Sequence, residues 1–478
     1  MPEPVTAPVS ARFTALPKPL LAAWVFLAAL FIFALIAHTW GGYQAGIAIF
    51  ALVAAALCFL DERASIVLFI GCSAIDAYGF ITHVPFSLSI ARVVVVALAA
   101  GAALRWLRAK PRPSLSWRAL SLWDIGILVF LAGAALSVPF SASLALSGVG
   151  ILHVTFLIGA YFVLSRAAQT TAGRNDITLA TIAAGSLSAL VALAQAFVPA
   201  IAPPVLRVTE SLAEGAEIVR ASGFFDNPNT LALLLVLAAL FAAERVWTSA
   251  RPAHRWIYAG AVALTLAGIG VSYSRAALVG IVVGAVALGA ILIRSVRGRV
   301  VFLGALVLLF AAVLAIPGVG ERAYSIIDFT GDASAMDRVY LSEVSIEMFA
   351  DHPLTGVGIQ AFRAAYPSYA DSRVTIDPVT DGHQMPASVP AEVGVLGLIA
   401  EAILAAVLAW ALARAMRSTE RPVAAGGLAA MAAISVMALF NTFIFFESLW
   451  IAAALVGSIM PAPGHAKGAS HIGPPLGS

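Results

Sequence analysis

The chain is 478 residues long, 61% hydrophobic and only 11% charged, with a mean hydropathy of +0.96. Soluble domains carry about 25% charged residues, so a water-soluble globular chain is excluded, and with it disorder, collagen and a nucleic-acid-binding domain. The 28 Lys and Arg against 25 Asp and Glu leave a net charge of +3, which implies no strongly charged partner.

The first residues, 1–18, are polar and Pro-containing and read as a cytoplasmic N-terminus. The apolar block behind them lacks a small-x-small cleavage site, so it reads as an uncleaved first span rather than a removed signal peptide. Fourteen apolar segments then follow, at 19–38, 43–60, 64–80, 88–104, 120–139, 147–165, 177–198, 229–243, 256–273, 275–293, 300–316, 387–413, 423–443 and 446–460. A helix needs roughly 20 apolar residues to cross a bilayer, so an all-α polytopic membrane protein of about 12–14 transmembrane helices is expected. The segments group as 19–198, 229–316 and 387–460. Long connections separate them at 199–228 and 317–386, and 461–478 is a Gly/Pro/Ser-rich stretch that reads as a disordered tail. Cys58 and Cys72 fall inside apolar segments, as small core residues with no disulfide framework or Cys-based metal site.

Orientation follows from the basic residues. With the N-terminus inside, 20 of the 28 Lys and Arg fall on the cytoplasmic side, among them Arg105, Arg108, Lys110, Arg245, Arg294 and Arg414. The other eight are Arg92, Arg207, Arg220, Arg275, Arg322, Arg338, Arg363 and Arg373, all in outer loops or at outer helix ends. The 317–386 loop holds ten acids and four arginines. A loop of that length in a compact membrane protein is usually functional. Within it, Leu341, Val344 and Met348 recur at helical spacing behind Asp337, so a helix is expected over 337–350, ended by Pro353, Gly356 and Gly358.

Common catalytic signatures are absent: no GxxxxGK[ST], HExxH, CxxC or Asp-x-Asp. Gly356-Val-Gly358 fits a dinucleotide fingerprint in letters, but it follows a helix rather than a strand. What remains is a set of outer arginines and His383. Arg92 lies in the apolar Ile-Ala-Arg-Val-Val-Val-Val, and an arginine at membrane depth normally faces a polar cavity or a partner. Guanidinium groups stay charged and grip phosphate oxygens in pairs, so several converging at the outer face suit a lipid diphosphate. The bland alternative is pairing with loop acids or anchoring at lipid head groups. A transporter would instead need paired broken helices and ionisable groups near the midplane.

Four blocks occur in order. They are Gly223-Phe-Phe-Asp-Asn227-Pro228-Asn229, preceded by Arg220, then Ser274-Arg275-Ala276, then Arg338 followed by Asp351-His352-Pro353-Leu-Thr-Gly356-Val-Gly358, and last His383 with Glu392, Gly394 and Gly397 behind it. This series resembles the O-antigen ligase and polymerase family, whose members carry G-x-F-x-N-P-N, S-R-G or S-R-A, R-x-x-[IL]-W with D-H-P-x-x-G-x-G, and H-N-x-x-L with a later E-x-G-x-x-G. The resemblance covers about 220–415. Ser342 stands where the family often has Trp, and Gln384 replaces its Asn; Pro386 and Pro390 make the entry to the twelfth span less regular.

The resemblance implies a C-type membrane glycosyltransferase in the bacterial inner membrane, multi-pass, with its site on the outer (periplasmic) side. It would pass a glycan from undecaprenyl diphosphate to an acceptor sugar of the lipid A–core type. The alternative within the family is a polymerase that joins lipid-linked repeat units, toward which fourteen spans rather than about twelve lean. Carried over by position, Arg220, Arg338 and His383 are the catalytic set. Arg220, Arg275, Arg338 and Arg92 are the lipid-diphosphate binders, and Glu392, Asn227 and Asn229 are supporting residues. Arginines already supply the positive charge a leaving diphosphate needs, so no metal or cofactor is expected, and single displacement with inversion is the economical route.

Overall fold

Each apolar segment acquires a helix in the computed structural model, which describes residues 17–37, 42–75, 79–82, 88–110, 120–198, 208–211, 217–314, 333–370, 381–418 and 424–461. The N-terminal stretch before 17, the proposed tail from 462, most of the 199–216 connection, and 315–332 and 371–380 of the large loop lie outside the described residues, as do Arg207, Arg322 and Arg373. The helices in order are α1 (Lys18–Ala37), α2 (Tyr43–Leu60), α3 (Glu62–Ser73), α4 (Ile90–Arg108), α5 (Leu122–Ser137), α6 (Leu144–Ala167), α7 (Thr171–Phe197), α8 (Pro228–Thr248), α9 (Pro252–Ser272), α10 (Arg275–Leu292) and α11 (Val296–Leu314). After them come α12 (Ala333–Asp351), α13 (Phe362–Ala365), α14 (Met385–Val393), α15 (Val395–Arg417), α16 (Ala425–Met437) and α17 (Glu447–Gly457). Ten of these are long and apolar enough to cross a membrane, and α16 and α17 are shorter apolar helices. The protein is an all-α polytopic membrane protein. Its strands among the described residues form two small antiparallel hairpins: β1 (Phe80–Thr82) with β2 (Leu88–Ser89), and β3 (Val208–Ser211) with β4 (Glu217–Arg220).

The outward surface is that of a lipid-facing bundle. Leu21, Val25, Ile32 and Ile36 are exposed along α1, and Val300, Val301, Val307 and Leu308 along α11. In water such stripes would be a liability, whereas in hydrocarbon they cost nothing. Between helices the drive is close packing through small residues. Gly280 and Gly284, one turn apart on α10, face α16; a Cβ on Gly280 would lie 2.6 Å from Met437 Cγ, and one on Gly284 3.1 Å from Ala429 O. Central to the bundle is α8, buried from Thr230 to Ala242.

Helix starts take polar caps. Ser89, Ser121, Ser143, Thr170 and Asn227 each accept a backbone N–H at the head of α4, α5, α6, α7 and α8. At the N-terminal end of α7, Arg63 pairs with Asp176, and Arg245 donates to Asn175 Oδ1 and Thr178 Oγ1.

Two segments differ from the sequence expectation. The third is a buried helix of 12 residues, shorter than a span, capped by Asp61 and packed against α1, α2, α4 and α7. The twelfth is split at Gly394 into α14 and α15. Gly394 has φ +74°, and a Cβ there would sit 2.4 Å from the Leu354 carbonyl, so the backbone of the 351–358 loop occupies the space a side chain would need. The expected loop helix is present as α12, beginning at Ala333, four residues before Asp337, and Leu341, Val344 and Met348 form its buried face.

Candidate active site

Four helix ends and one hairpin build one end of the bundle. The β3–β4 hairpin, in register Val208↔Arg220, delivers Arg220 to the head of α8. Only 8% exposed, Arg220 donates through Nε to the Ser272 carbonyl (2.9 Å) and through Nη2 to Asn229 Oδ1 (3.0 Å). Ser274 Oγ donates to the same Asn229 oxygen at 2.9 Å. Asn229 therefore ties the Gly223–Asn229 block to the Ser274-Arg275 turn. Asn227 caps α8, its Oδ1 accepting from Asn229 N–H at 2.8 Å. The turn itself is sharp: Tyr273 is left-handed at φ +52° between the end of α9 and Arg275, the first residue of α10. Arg220 and Arg275 are thus brought together by backbone and amide contacts.

Sequence reasoning missed one support here. Gln195 of α7 clamps the Gly223 turn with both ends of its amide, donating to Gly223 O (2.8 Å) and accepting from Gly223 N–H (2.9 Å). Gly223 has φ +60°, and its missing side chain leaves room for the Ser188 carbonyl. Beside it, burial raises the Asp226 carboxyl above the usual carboxylate range.

The second pair is Arg338 and His383. Arg338 lies on α12, and Gln384 Nε2 donates to its carbonyl at 3.5 Å. His383 is left-handed at φ +54°. Its N–H donates to Asp381 Oδ1 at 2.7 Å, and the same oxygen lies 3.4 Å from imidazole Nδ1. A carboxylate beside Nδ1 favours the tautomer with the proton there and leaves Nε2 as the basic nitrogen. Asp381 was not singled out from the sequence, although its place two residues before His383 was the available signal.

Glu392 lies on α14 with both carboxyl oxygens engaged: Gln360 N–H donates to Oε2 (3.0 Å) and Phe362 N–H to Oε1 (3.1 Å). Burial pushes its pKa up to about 8, against the lowering effect of those two N–H groups, and the charge of Asp381 adds to the rise. The 351–358 loop is fastened along α14. Val357 N–H donates to Ala391 O (2.8 Å), Gly358 N–H to Glu392 O (3.0 Å), and Val395 N–H to Pro353 O (2.8 Å). Gly356 (φ +65°) would place a Cβ 2.4 Å from the Glu392 carbonyl carbon. The glycines of the D-H-P-x-x-G-x-G block are needed for this close approach, which holds α12, and so Arg338, against the segment that carries His383.

The two pairs are linked through α10 and α16. Gly280, five residues beyond Arg275, packs on Met437, and the next residue, Ala438, accepts the Met385 N–H at 3.0 Å, two residues after His383. Arg92 stands at the head of α4, its N–H donating to the capping Ser89 (3.4 Å), and near enough to His153 and Glu447 to act electrostatically on both. Among the described residues no group of three His, Cys, Asp or Glu side chains is placed to hold a metal ion.

The described residues form a many-helix membrane fold with arginines, and a histidine beside a carboxylate, at one end of the bundle. Residues 260–402 match the model of the O-antigen ligase family. The match spans the Ser274-Arg275 turn, Arg338, the 351–358 loop, His383 and Glu392, and it makes the chain similar to the ligase- and polymerase-type membrane glycosyltransferases. No curated protein matches the chain.

Proposed function

We propose that the protein transfers a glycan from undecaprenyl diphosphate to an acceptor sugar of the lipid A–core type, on the outer face of the bacterial inner membrane. The observation that carries this reading is the gathering of Arg220, Arg275, Arg338 and the His383–Asp381 pair at one end of the bundle from four separate segments. The guanidinium groups of Arg220, Arg275 and Arg338 hold the diphosphate and stabilise the negative charge that grows on it as the glycosidic C1–O bond breaks. His383 Nε2 takes the proton of the acceptor hydroxyl as its oxygen bonds C1, and Asp381 stabilises the imidazolium that forms. The proton then passes to solvent, and undecaprenyl diphosphate departs. Attack opposite the diphosphate inverts the anomeric centre. Because arginines supply the cationic charge, the reaction runs without a divalent metal.

A polymerase reading shares this site and differs only in the acceptor, a second lipid-linked repeat unit. Both readings are tested with the purified full-length protein in lipid nanodiscs, supplied with undecaprenyl-diphosphate-linked glycan in the presence of EDTA. A shift of added lipid A–core to higher mass supports the ligase. Extension of lipid-linked units without core supports the polymerase. No transfer to either acceptor refutes the glycosyltransferase assignment, and transfer that EDTA abolishes and Mg²⁺ restores refutes its metal independence.

A further inference from the structure

The turn that joins α9 to α10 and carries Arg275 stands over an apolar cavity. Both helices pack on α8, and the space left between them has a volume of about 160 Å³. Its walls are Val262, Leu266 and Ile269 of α9 and Leu278, Val282 and Ala285 of α10. Ala239 and Ala243, one turn apart on α8, form its floor, and Ala305 of α11 borders it. The lining is almost wholly carbon. Water needs polar partners to remain in such a space, whereas apolar cavities of about 150 Å³ stay dry and take hydrocarbon guests.

Helical spacing ties this cavity to the charged end of the bundle. Arg275, Leu278, Val282 and Ala285 recur at i, i+3, i+7 and i+10, so the face of α10 that begins with Arg275 continues inward as cavity wall. On α9 the wall reaches Ile269, and three residues further on the Ser272 carbonyl accepts Arg220 Nε at 2.9 Å. The inner end lies at Leu288 and Phe302. There the Phe302 ring packs on Gly289, where an added Cβ would come within 2.5 Å of Phe302 Cε1. From Leu278 to Leu288 the helix rises about 15 Å, at roughly 1.5 Å per residue. Spread over that length, the cavity has the width of one hydrocarbon chain rather than two.

We propose that this cavity seats the polyprenyl chain of the donor, its isoprene units running inward along α10 from a diphosphate held at Arg220 and Arg275. The inference rests on the reading that those arginines hold the donor diphosphate, and it adds where the chain goes. Guanidinium groups above and a hydrocarbon slot below match an anionic lipid with its head outward. A polyprenyl diphosphate brings one chain to one slot, whereas a phospholipid brings two acyl chains on a single phosphate. The chain moves from hydrocarbon into hydrocarbon, so it gains no hydrophobic drive. Dispersion contacts along the cavity wall hold it instead, and the anchored head keeps it in place. Ala239, Ala243 and Ala285 leave the room for the chain, so the fit is decided at these small residues.

Binding tests it on the full-length protein in phospholipid nanodiscs with two probes: undecaprenyl diphosphate, and inorganic diphosphate, which has the head without the chain. Ala285→Phe fills the slot and should weaken undecaprenyl diphosphate about tenfold through lost packing, with inorganic diphosphate within about twofold of wild type. The milder Ala285→Leu should fall between the two proteins, and Arg275→Ala should weaken both probes. A second measurement needs no variant: undecaprenyl diphosphate with a diazirine in the isoprene units next to the diphosphate should label Leu278, Ile281 or Val282 on illumination. The chain site is overturned if Ala285→Phe and Ala285→Leu bind undecaprenyl diphosphate as wild type does, if they weaken both probes alike, or if the label falls on other helices. Loss of co-purified phospholipid from the filled variants, with undecaprenyl diphosphate binding unchanged, would make an acyl chain the occupant and overturn it too. A wild type that binds neither probe refutes the donor reading and this inference together. A wild type that binds both probes equally well removes the chain site alone.

Discussion

Replacing Glu392 by Gln isolates the contribution of one buried carboxyl to stability. In the folded chain its pKa is about 8, against 4.5 for the free side chain. Between those values the unfolded chain has released the proton and the folded chain still holds it. Stability therefore falls as pH rises through this window and levels off above about 8. Each pH unit is worth at most about 1.4 kcal/mol, so the whole window removes up to roughly 5 kcal/mol. Gln does not titrate, but its amide can offer an oxygen to only one of the Gln360 and Phe362 N–H groups and turns a donor toward the other. That mismatch costs about 1–3 kcal/mol at every pH. The wild type should thus be the more stable protein near pH 5, and its advantage should shrink steadily toward pH 8 and even reverse. The assay is the thermal midpoint of both proteins in the same detergent from about pH 5 to 9, read by intrinsic tryptophan fluorescence. A difference between the two that stays constant across this range, or grows with pH, refutes the buried, proton-holding carboxyl.

Three further outcomes are expected. Arg338→Lys should lose roughly a hundred- to thousand-fold in transfer rate, because an ammonium keeps the charge but not the planar fork that grips a developing diphosphate; a loss under tenfold would contradict that role. Asp381→Asn should lower the rate about a hundredfold or more by releasing the imidazole tautomer, with undecaprenyl diphosphate binding retained; unchanged turnover would remove Asp381 from the site. Gly356→Ala should lower the thermal midpoint by several degrees or prevent accumulation, since a Cβ at φ +65° would lie 2.4 Å from the Glu392 backbone; a midpoint equal to wild type would show that the loop does not need this close approach.

Hydropathy sufficed to find the helices because lipid imposes a length and an apolar composition on each one. It could not find breaks that depend on a partner. The apolar run through 387–413 is continuous in composition, and only the Leu354 carbonyl, brought in from a loop some forty residues earlier, makes Gly394 a break rather than a mid-helix glycine. Likewise the third segment is apolar over 64–80, yet α3 stops at Ser73 inside the bundle. The motif residues were legible as types and spacings. Their supports were not, because Gln195 and Asp381 act through long-range or backbone contacts that carry no periodicity. Arg92 illustrates the same limit from the other side. Its depth in an apolar run marked it as partnered, but which groups its charge acts on, His153 and Glu447 among them, depends on how α4, α6 and α17 pack.

The loop that fastens α12 to α14 is bonded almost wholly through main-chain atoms and glycines. His352 and Leu354 point their side chains outward, Leu354 with 70% of its surface exposed. The spacing of Arg338 and His383 is consequently set by atoms that every amino acid shares, while the neighbouring side chains are released from any structural duty. Positions 352 and 354 can change their size, charge or polarity without shifting the two functional groups. That separation gives the molecule a patch beside Arg338 and His383 whose side chains can vary while the backbone scaffold beneath them stays undisturbed.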